Sequence, residues 1–223
     1  MTPTSAHHPA PPLSMIDDRT PIPRVRVQWT PPSPRAGLLG AWDRFVGPGA
    51  TRGEVWLQTA IPLAATFAAV AWPLAAGHAW TLWQLLVAGL LALDTVGGVM
   101  TNATHTAKRW YHRAGQGIAQ HLGFVALHVV QLGLVGWLFR AHDWAYVATG
   151  YSFLMAAATL IVLSPATLQK PIAHGVYLVA LVASFTPAVV TPGLEWFAPV
   201  FFLKLFVAHL PLEAPLAPAT QPN

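Results

Sequence analysis

Residues 80–103, WTLWQLLVAGLLALDTVGGVMTNA, carry one charged side chain, Asp94, in a continuous apolar run. A helix of about 20 apolar residues crosses the roughly 30 Å hydrocarbon core of a bilayer at about 1.5 Å per residue. The run does not alternate between polar and apolar positions, which favours a membrane helix over a strand of a β-barrel. We therefore expect residues 80–103 to form a transmembrane helix.

The whole chain has the composition of a membrane protein. Of its 223 residues, 54% are hydrophobic and 9% are charged, whereas a soluble domain carries about 25% charged residues. The mean hydropathy is +0.49, so an ordinary soluble domain is excluded. Five further apolar stretches predict an all-α integral membrane bundle of six transmembrane helices: 55–76, 119–139, 144–164, 170–190 and 194–212.

Segments outside the apolar stretches divide the chain into further parts. Residues 1–36 hold nine of the 21 prolines, which is typical of a disordered tail. Residues 37–52 mix apolar and charged side chains and predict an amphipathic helix that lies on the membrane surface. The six-helix transmembrane domain then occupies 53–212, and a second disordered tail, rich in proline and alanine, occupies 213–223.

The positive charges predict the orientation. With six crossings, both termini lie on the same side, and that side also receives ten of the twelve Lys and Arg residues; Arg140 falls on the opposite side. Because positive residues are enriched in cytoplasmic segments, we expect both termini to be cytoplasmic. The expected location is the plasma membrane, of the bacterial inner-membrane type.

Several kinds of chemistry are excluded by residues that the sequence lacks. There is no cysteine, which removes disulfides, thiolate metal sites and iron–sulfur clusters. No phosphate-binding glycine loop, HExxH motif or GxSxG motif occurs, and each of these would have indicated a particular enzyme mechanism. The charges are few, and we expect no nucleic-acid partner.

Ionisable side chains within the predicted spans fall into the cytoplasmic half of the membrane. Charged or ionisable residues inside a span are energetically costly and mark functional sites. Four different helices contribute to this predicted site, at two depths. The deeper level holds Asp94, His128 and Lys204, and the shallower level holds Asn102, His105, His121, His174 and His209.

We assign predicted roles to these residues by their chemistry. Imidazole nitrogens are common ligands of zinc and iron, and the predicted metal ligands are His121, His128, His174 and His209. The predicted catalytic residues are Asp94, Asn102, His105 and Lys204. For Asp94, a structural ion pair with Lys204 at matching depth is an open alternative.

Sequence spacing limits which of these residues can cooperate. His121 and His128 are seven residues apart, about 10.5 Å along an α-helix, which is too far for both to bind one metal ion. Lys204 and His209 are five residues apart, so in an α-helix they are expected to point in different directions.

The loop before the third span is basic and aromatic. Lys108, Arg109 and Arg113 lie in it together with Trp110 and Tyr111. This pattern is typical of a positively charged membrane anchor. It also fits contact with lipid headgroups or an anionic substrate.

Four functions remain open from the sequence. The favoured hypothesis is a metal-dependent membrane enzyme, an oxidoreductase or hydrolase that uses Fe or Zn and acts on a lipid or other apolar molecule. A subunit carrying haem b, with His128 and either His174 or His209 as axial ligands, is the second. A proton-coupled transporter that uses Asp94, His128 and Lys204 is the third. A non-enzymatic subunit of a membrane complex is the fourth.

Overall fold

The structure, a computed structural model, describes residues 30–213, and every regular element in that range is a helix. Residues 1–29 and 214–223, which make up most of the two predicted tails, lie outside the described residues. The helices are α1 Gly37–Val46, α2 Arg52–Ala75, α3 Leu82–Asn102, α4 His105–Tyr111, α5 Ile118–Ala126, α6 Val129–Leu138, α7 Trp144–Leu163, α8 Ala166–Ala183 and α9 Phe197–Phe202, followed directly by a π-helix, Leu203–His209.

Four helical segments are long and apolar enough to cross a membrane: Arg52–Ala75, Leu82–Asn102, Ile118–Leu138 and Trp144–Leu163. The all-helical, membrane-type architecture predicted from the sequence is therefore confirmed. The third segment is interrupted at Leu127 and His128, where the chain makes a turn between α5 and α6. At this turn the His128 amide donates to the Val125 carbonyl, three residues back, at 3.0 Å.

Capping residues explain where the first two long helices begin. The Thr51 hydroxyl accepts from the Glu54 amide, and the Glu54 carboxylate accepts from the Thr51 amide. Thr81 and Gln84 form the same reciprocal arrangement at the start of α3. Each box satisfies two amides that have no partner within the first helical turn.

Contacts between elements distant in sequence define two ends of the bundle. At one end the start of α3 meets the end of α6, where Gln84 donates to the Leu138 carbonyl at 2.8 Å. Arg140 also lies there, and we call this the Arg140 end. At the other end the last residues of α3 and of the π-helix meet the start of α5. We call this the histidine end.

The core lies where α9 and the π-helix pack among α3, α7 and α8. Four phenylalanines from this segment are almost fully buried, and each ring contacts the next along it: Phe197, Phe201, Phe202 and Phe206. Burial of large aromatic side chains contributes strongly to packing energy. The segment Phe197–His209 is thus the central element of the bundle rather than a peripheral one.

Helix α1, which covers part of the predicted surface helix, docks on α4 at the histidine end. The Tyr111 hydroxyl donates to the Phe45 carbonyl at 2.9 Å. Gly47 ends α1 with a φ of +94°, a conformation that favours glycine. A Cβ added at Gly47 would lie 2.4 Å from the backbone of Thr106 and of Ala107, so the absence of a side chain lets the two backbones approach.

Replacing Gly47 with alanine should therefore destabilise the docked α1. Alanine at positive φ costs about 1–2 kcal/mol, and the clash with α4 adds to it. Gly37→Ala is the matched control, because Gly37 also has a positive φ (+64°) but open space around it. We expect G47A to lower the melting temperature of the detergent-solubilised protein more than G37A. Equal shifts would contradict the packing argument.

Candidate functional site

An ion pair joins the π-helix to the middle of α3. The Lys204 Nζ lies 2.9 and 2.8 Å from the two carboxylate oxygens of Asp94. The Gln131 amide on α6 donates to the same carboxylate at 3.1 Å. The Lys204 side chain is 4% exposed, whereas that of Asp94 is 44% exposed. The carboxylate of the pair is therefore accessible from outside the bundle, whereas the ammonium is enclosed by it.

Gly98 makes room for this pair. It lies one turn after Asp94 on α3, and an added Cβ would fall 2.3 Å from the Lys204 Cε. The aliphatic part of the lysine thus lies directly across the α3 backbone. Small residues allow membrane helices to approach each other closely. Here the glycine allows a lysine side chain to lie against the helix backbone.

A second polar cluster lies at the histidine end, and we call it the histidine chain. The His209 Nδ1 lies 3.1 Å from the Asn102 Oδ1, and the His209 Nε2 lies 3.2 Å from the His121 Nδ1. Asn102 and His209 are both buried, and His121 is partly exposed. The histidine chain therefore runs from the interior of the bundle to its surface.

Hydrogen-bond directions in the histidine chain are set by its innermost member. The Asn102 amide group donates to the Gly98 carbonyl at 2.7 Å, so its oxygen faces His209 as an acceptor. The His209 Nδ1 must then carry the proton, and its Nε2 accepts from the His121 Nδ1. This leaves the His121 Nε2 with a lone pair, and that atom has no hydrogen-bond partner among the described residues.

Two side chains from the α4 region bind the end of the π-helix. The His112 Nε2 donates to the His209 carbonyl at 2.9 Å, and the Lys108 ammonium donates to the carbonyls of Ala208 and His209. Carbonyls at a helix C-terminus lack partners within the helix, and a cation is stabilised there. The His112 ring also stacks on the ring of His121, with centroids 4.5 Å apart.

Burial shifts the pKa values of these two residues. Lys108 is 1% exposed, and its burial lowers the pKa of its ammonium to about 8. Burial also lowers the pKa of His112 to about 3, and the nearby Lys108 charge acts in the same direction. His112 is therefore neutral at pH 7, with a lone pair on its Nδ1.

The structure brings Asp94 and Lys204 together and, separately, Asn102, His121 and His209. The expectation that Lys204 and His209 diverge does not hold, because both face α3. The helix carrying them is a π-helix, in which backbone bonds join residues five apart, as in the bond from the Leu210 amide to the Leu205 carbonyl at 3.2 Å. Residues five apart therefore lie about one turn apart on one face.

Three other predicted histidines lie elsewhere. His174 is exposed, and its Nδ1 bonds to the Lys170 carbonyl of its own helix at 2.7 Å. His105 is exposed at the start of α4. His128 is buried at the turn between α5 and α6, where its Nδ1 donates to the Phe124 carbonyl at 2.9 Å. The His128 Nε2 is buried without a partner among the described residues.

The basic residues of the predicted loop lie mostly in helix α4. Lys108, predicted at the surface, is buried instead, because its ammonium binds the end of the π-helix. The Arg109 guanidinium donates to the Pro48 carbonyl at 3.0 Å. The Arg113 guanidinium lies over the Trp110 ring, 3.7 Å from its centroid. Of the three, Arg109 and Arg113 stay partly exposed.

A metal site was predicted from four histidines. Within residues 30–213, no three His, Cys, Asp or Glu side chains are grouped so that they could hold a metal ion. His121 and His209 do meet, but the nitrogens of His209 already bond to Asn102 and to His121.

Sequence reasoning missed His112 and Gln131 as members of the site, and it assigned Lys108 to the membrane surface instead of the end of the π-helix. Gln131 lies ten residues beyond His121, on the far side of the helix break, and no sequence pattern signals that break. Gly115, with a φ of +86°, lies in the turn that returns the chain from α4 to α5. This glycine is the one local signal that could have suggested that His112 folds back onto His121.

Comparisons with protein-family models, with curated proteins and with solved structures found no match. The chain is a helical protein of membrane type, and its candidate site is defined by its own geometry.

The ion pair predicts unequal effects of removing its two partners. Asp94→Asn strands a buried ammonium, which should cost about 3–5 kcal/mol. Lys204→Met should cost less, because the Asp94 carboxylate keeps its bond from Gln131 and its open side leaves room for water. Titration with a denaturing detergent would measure both. The double variant should be more stable than the sum of the single effects predicts, and strict additivity would contradict a coupled pair.

The low pKa of His112 predicts loss of stability in acid. Its pKa is about 3 in the folded chain and about 6.5 when unfolded. As the pH falls, the unfolded state therefore binds the proton before the folded state does. The stability that comes from neutral His112 is complete above pH 6.5 and decreases towards pH 3. The slope reaches about 1.4 kcal/mol per pH unit for one group. Between pH 7 and 5 the melting temperature should fall less in His112→Gln than in the unchanged protein; superimposable pH profiles would refute this assignment.

Proposed function

We propose that this protein is a membrane-embedded enzyme that acts on a lipid or another apolar molecule, with His121 as its general base. The observation that carries the proposal is the histidine chain, which leaves a lone pair on a partly exposed imidazole. Acid–base catalysis often uses a base whose ring is oriented by a second side chain, which is itself oriented by a third.

The proposed roles follow from the hydrogen bonds. The His121 Nε2 takes a proton from a substrate hydroxyl or from water. The Nδ1–H of the resulting imidazolium still donates to the His209 Nε2. The orientation of His209 is fixed by Asn102. The carbonyl of His209 is in turn held by His112. The base is thus positioned by groups on α3, the π-helix and the α4 region.

Substrate access is proposed from the bilayer. Asp94 lies in the middle of a helix that is apolar enough to cross a membrane, and its side chain is 44% exposed. A charged group facing hydrocarbon would be costly, so we place a polar part of the substrate, or water that accompanies it, beside this carboxylate. Lys204 serves as the buried counter-charge that keeps Asp94 ionised.

The proposed topology has six crossings, with α8 and the segment Phe197–His209 as the fifth and sixth. Helix α8 has 18 residues, about 27 Å in length. The positive charges of α1, α2 and α4 lie at the histidine end, which we propose to be cytoplasmic, together with both termini, in a plasma membrane.

A metal-dependent reaction is the second candidate, favoured by one observation. The stacked rings of His112 and His121 each keep a nitrogen without a partner among the described residues. Two imidazoles are fewer than the three protein ligands of most catalytic zinc sites, so acid–base catalysis by the histidines fits better. A haem would need two imidazoles with a nitrogen free for the iron, but both nitrogens of His209 bond to Asn102 and His121. His174, in turn, is exposed on its own helix.

The proposal predicts a change in membrane lipids that depends on His121. Cells that express the protein should show one altered lipid or apolar metabolite in untargeted mass spectrometry. His121→Gln should reduce that change by about 10²–10⁴-fold, the usual effect of losing a general base. His174→Gln is the matched control, since His174 is exposed and bonds to its own helix, and it should leave the change intact.

A direct measurement of the base uses the purified protein. In ¹⁵N NMR of imidazole-labelled protein, the His121 Nε2 should have the shift of a nitrogen that carries a lone pair, and Asn102→Ala should alter it. Elemental analysis of the same sample tests the second candidate. A stoichiometric metal lost in His121→Gln, or a lipid profile indifferent to His121, would overturn the acid–base proposal.

A further inference from the structure

A large apolar cavity lies in the half of the bundle nearer the Arg140 end, away from the histidine chain. Its volume is about 540 Å³, within the roughly 300–1,000 Å³ of small-molecule sites. Along α7 it extends from Ala145 to Phe153, which is about 12 Å. We propose that this cavity binds one hydrocarbon chain of a membrane lipid, whose polar end accepts a hydrogen bond from the Tyr146 hydroxyl.

The walls of the cavity suit a hydrocarbon chain. Its back wall consists of buried side chains from α6 and α9, including Leu132, Phe197 and Phe201. Small residues on α7 and α8 leave the space open, among them Gly150 and Ala180. Enclosed apolar cavities stay dry and bind apolar molecules, and the apolar walls here likewise favour a hydrocarbon occupant over water.

The mouth of the cavity faces the surroundings of the bundle between α7 and α8. Thr149 on α7 and Val179 on α8 line it and are exposed. Helix α7 is one of the four that are apolar enough to cross a membrane. The molecules at this mouth are therefore lipid chains, which need not pass through water to enter.

Tyr146 supplies the polar contact at one end of the cavity. Its side chain lines the space and the residue is 9% exposed. Its hydroxyl makes no hydrogen bond with the described residues. A hydroxyl that faces an apolar cavity without a partner is unfavourable, and an ester or carboxyl oxygen of a bound lipid would satisfy it.

Arg140 and Asp143 line the cavity at this end. The Arg140 guanidinium donates to the carbonyls of Ala188 and Val190 and to the Asp143 carboxylate. It also lies over the Tyr146 ring, with Cζ 4.3 Å from the ring centroid. These bonds tie the loop after α8 to the turn before α7, and so they connect the two helices at this end of the cavity.

The test uses a fatty acid that carries a photoactivatable diazirine, added to the full-length protein in lipid nanodiscs. Labelling should concentrate on cavity residues such as Phe153 and Phe201, mapped by mass spectrometry. Thr149→Trp, and independently Ala145→Trp, should narrow the mouth and suppress it. Leu160→Trp is the matched control on the same helix, because Leu160 is 52% exposed and does not line the cavity.

The polar contact and the source of the chain are tested in the same system. Tyr146→Phe should weaken the apparent affinity for the probe about threefold to tenfold, as expected for one hydrogen bond. Competition with unlabelled fatty acid or with phospholipid shows which of them supplies the chain. Labelling spread evenly over Leu160 and the cavity, or unaffected by both mouth variants, would overturn the proposal. His121→Gln should leave labelling unchanged, so this site and the proposed enzyme activity can fail separately.

Discussion

The side chain of Lys204 lies across the backbone of Gly98, and this contact fixes how the π-helix sits on α3. A Cβ at position 98 would overlap the lysine stem, so the two elements could not approach as closely. With Lys204 held on Asp94, the five-residue spacing of the π-helix brings His209 onto Asn102, eight residues further along α3. The ion pair and the histidine chain are therefore two consequences of one helix–helix register.

The end of the π-helix must also be stabilised for this register to form, because its last backbone carbonyls lack partners within the helix. Lys108 and His112 stabilise this end, because both donate to the His209 carbonyl. This arrangement uses a buried cation as a helix cap. It also makes the positioning of His209 depend on the fold of α4, and α4 is itself held by α1 through Tyr111. The docking of α1 thus bears on the geometry of the histidine chain although it contributes no residue to it.

The sequence predicted the elements more completely than the site. Apolar runs identify the membrane-type helices, because length and hydropathy are local properties. The pairing of Asp94 with Lys204 was an open alternative suggested by their matching depth, and it is present in the structure. The alignment of Lys204 with His209 could not be foreseen, since an α-helical spacing was assumed where the chain forms a π-helix. The burial of Lys108 depends on a tertiary contact with residues about 100 positions away, which no local pattern encodes.

The position of His128 bears on the choice between an enzyme and a proton-coupled transporter. Its ring lies between two aromatic rings, with centroids 4.8 Å from Phe124 and 6.0 Å from Phe201. Its Nε2 has no partner among the described residues, and Phe201 forms the wall of the apolar cavity. A proton path needs a continuous series of polar groups. Beyond His128 lie the apolar side chains that line the cavity. The proposed chemistry lies at one end of the bundle and the apolar cavity lies near the other, which is consistent with the proposed enzyme rather than with a transporter.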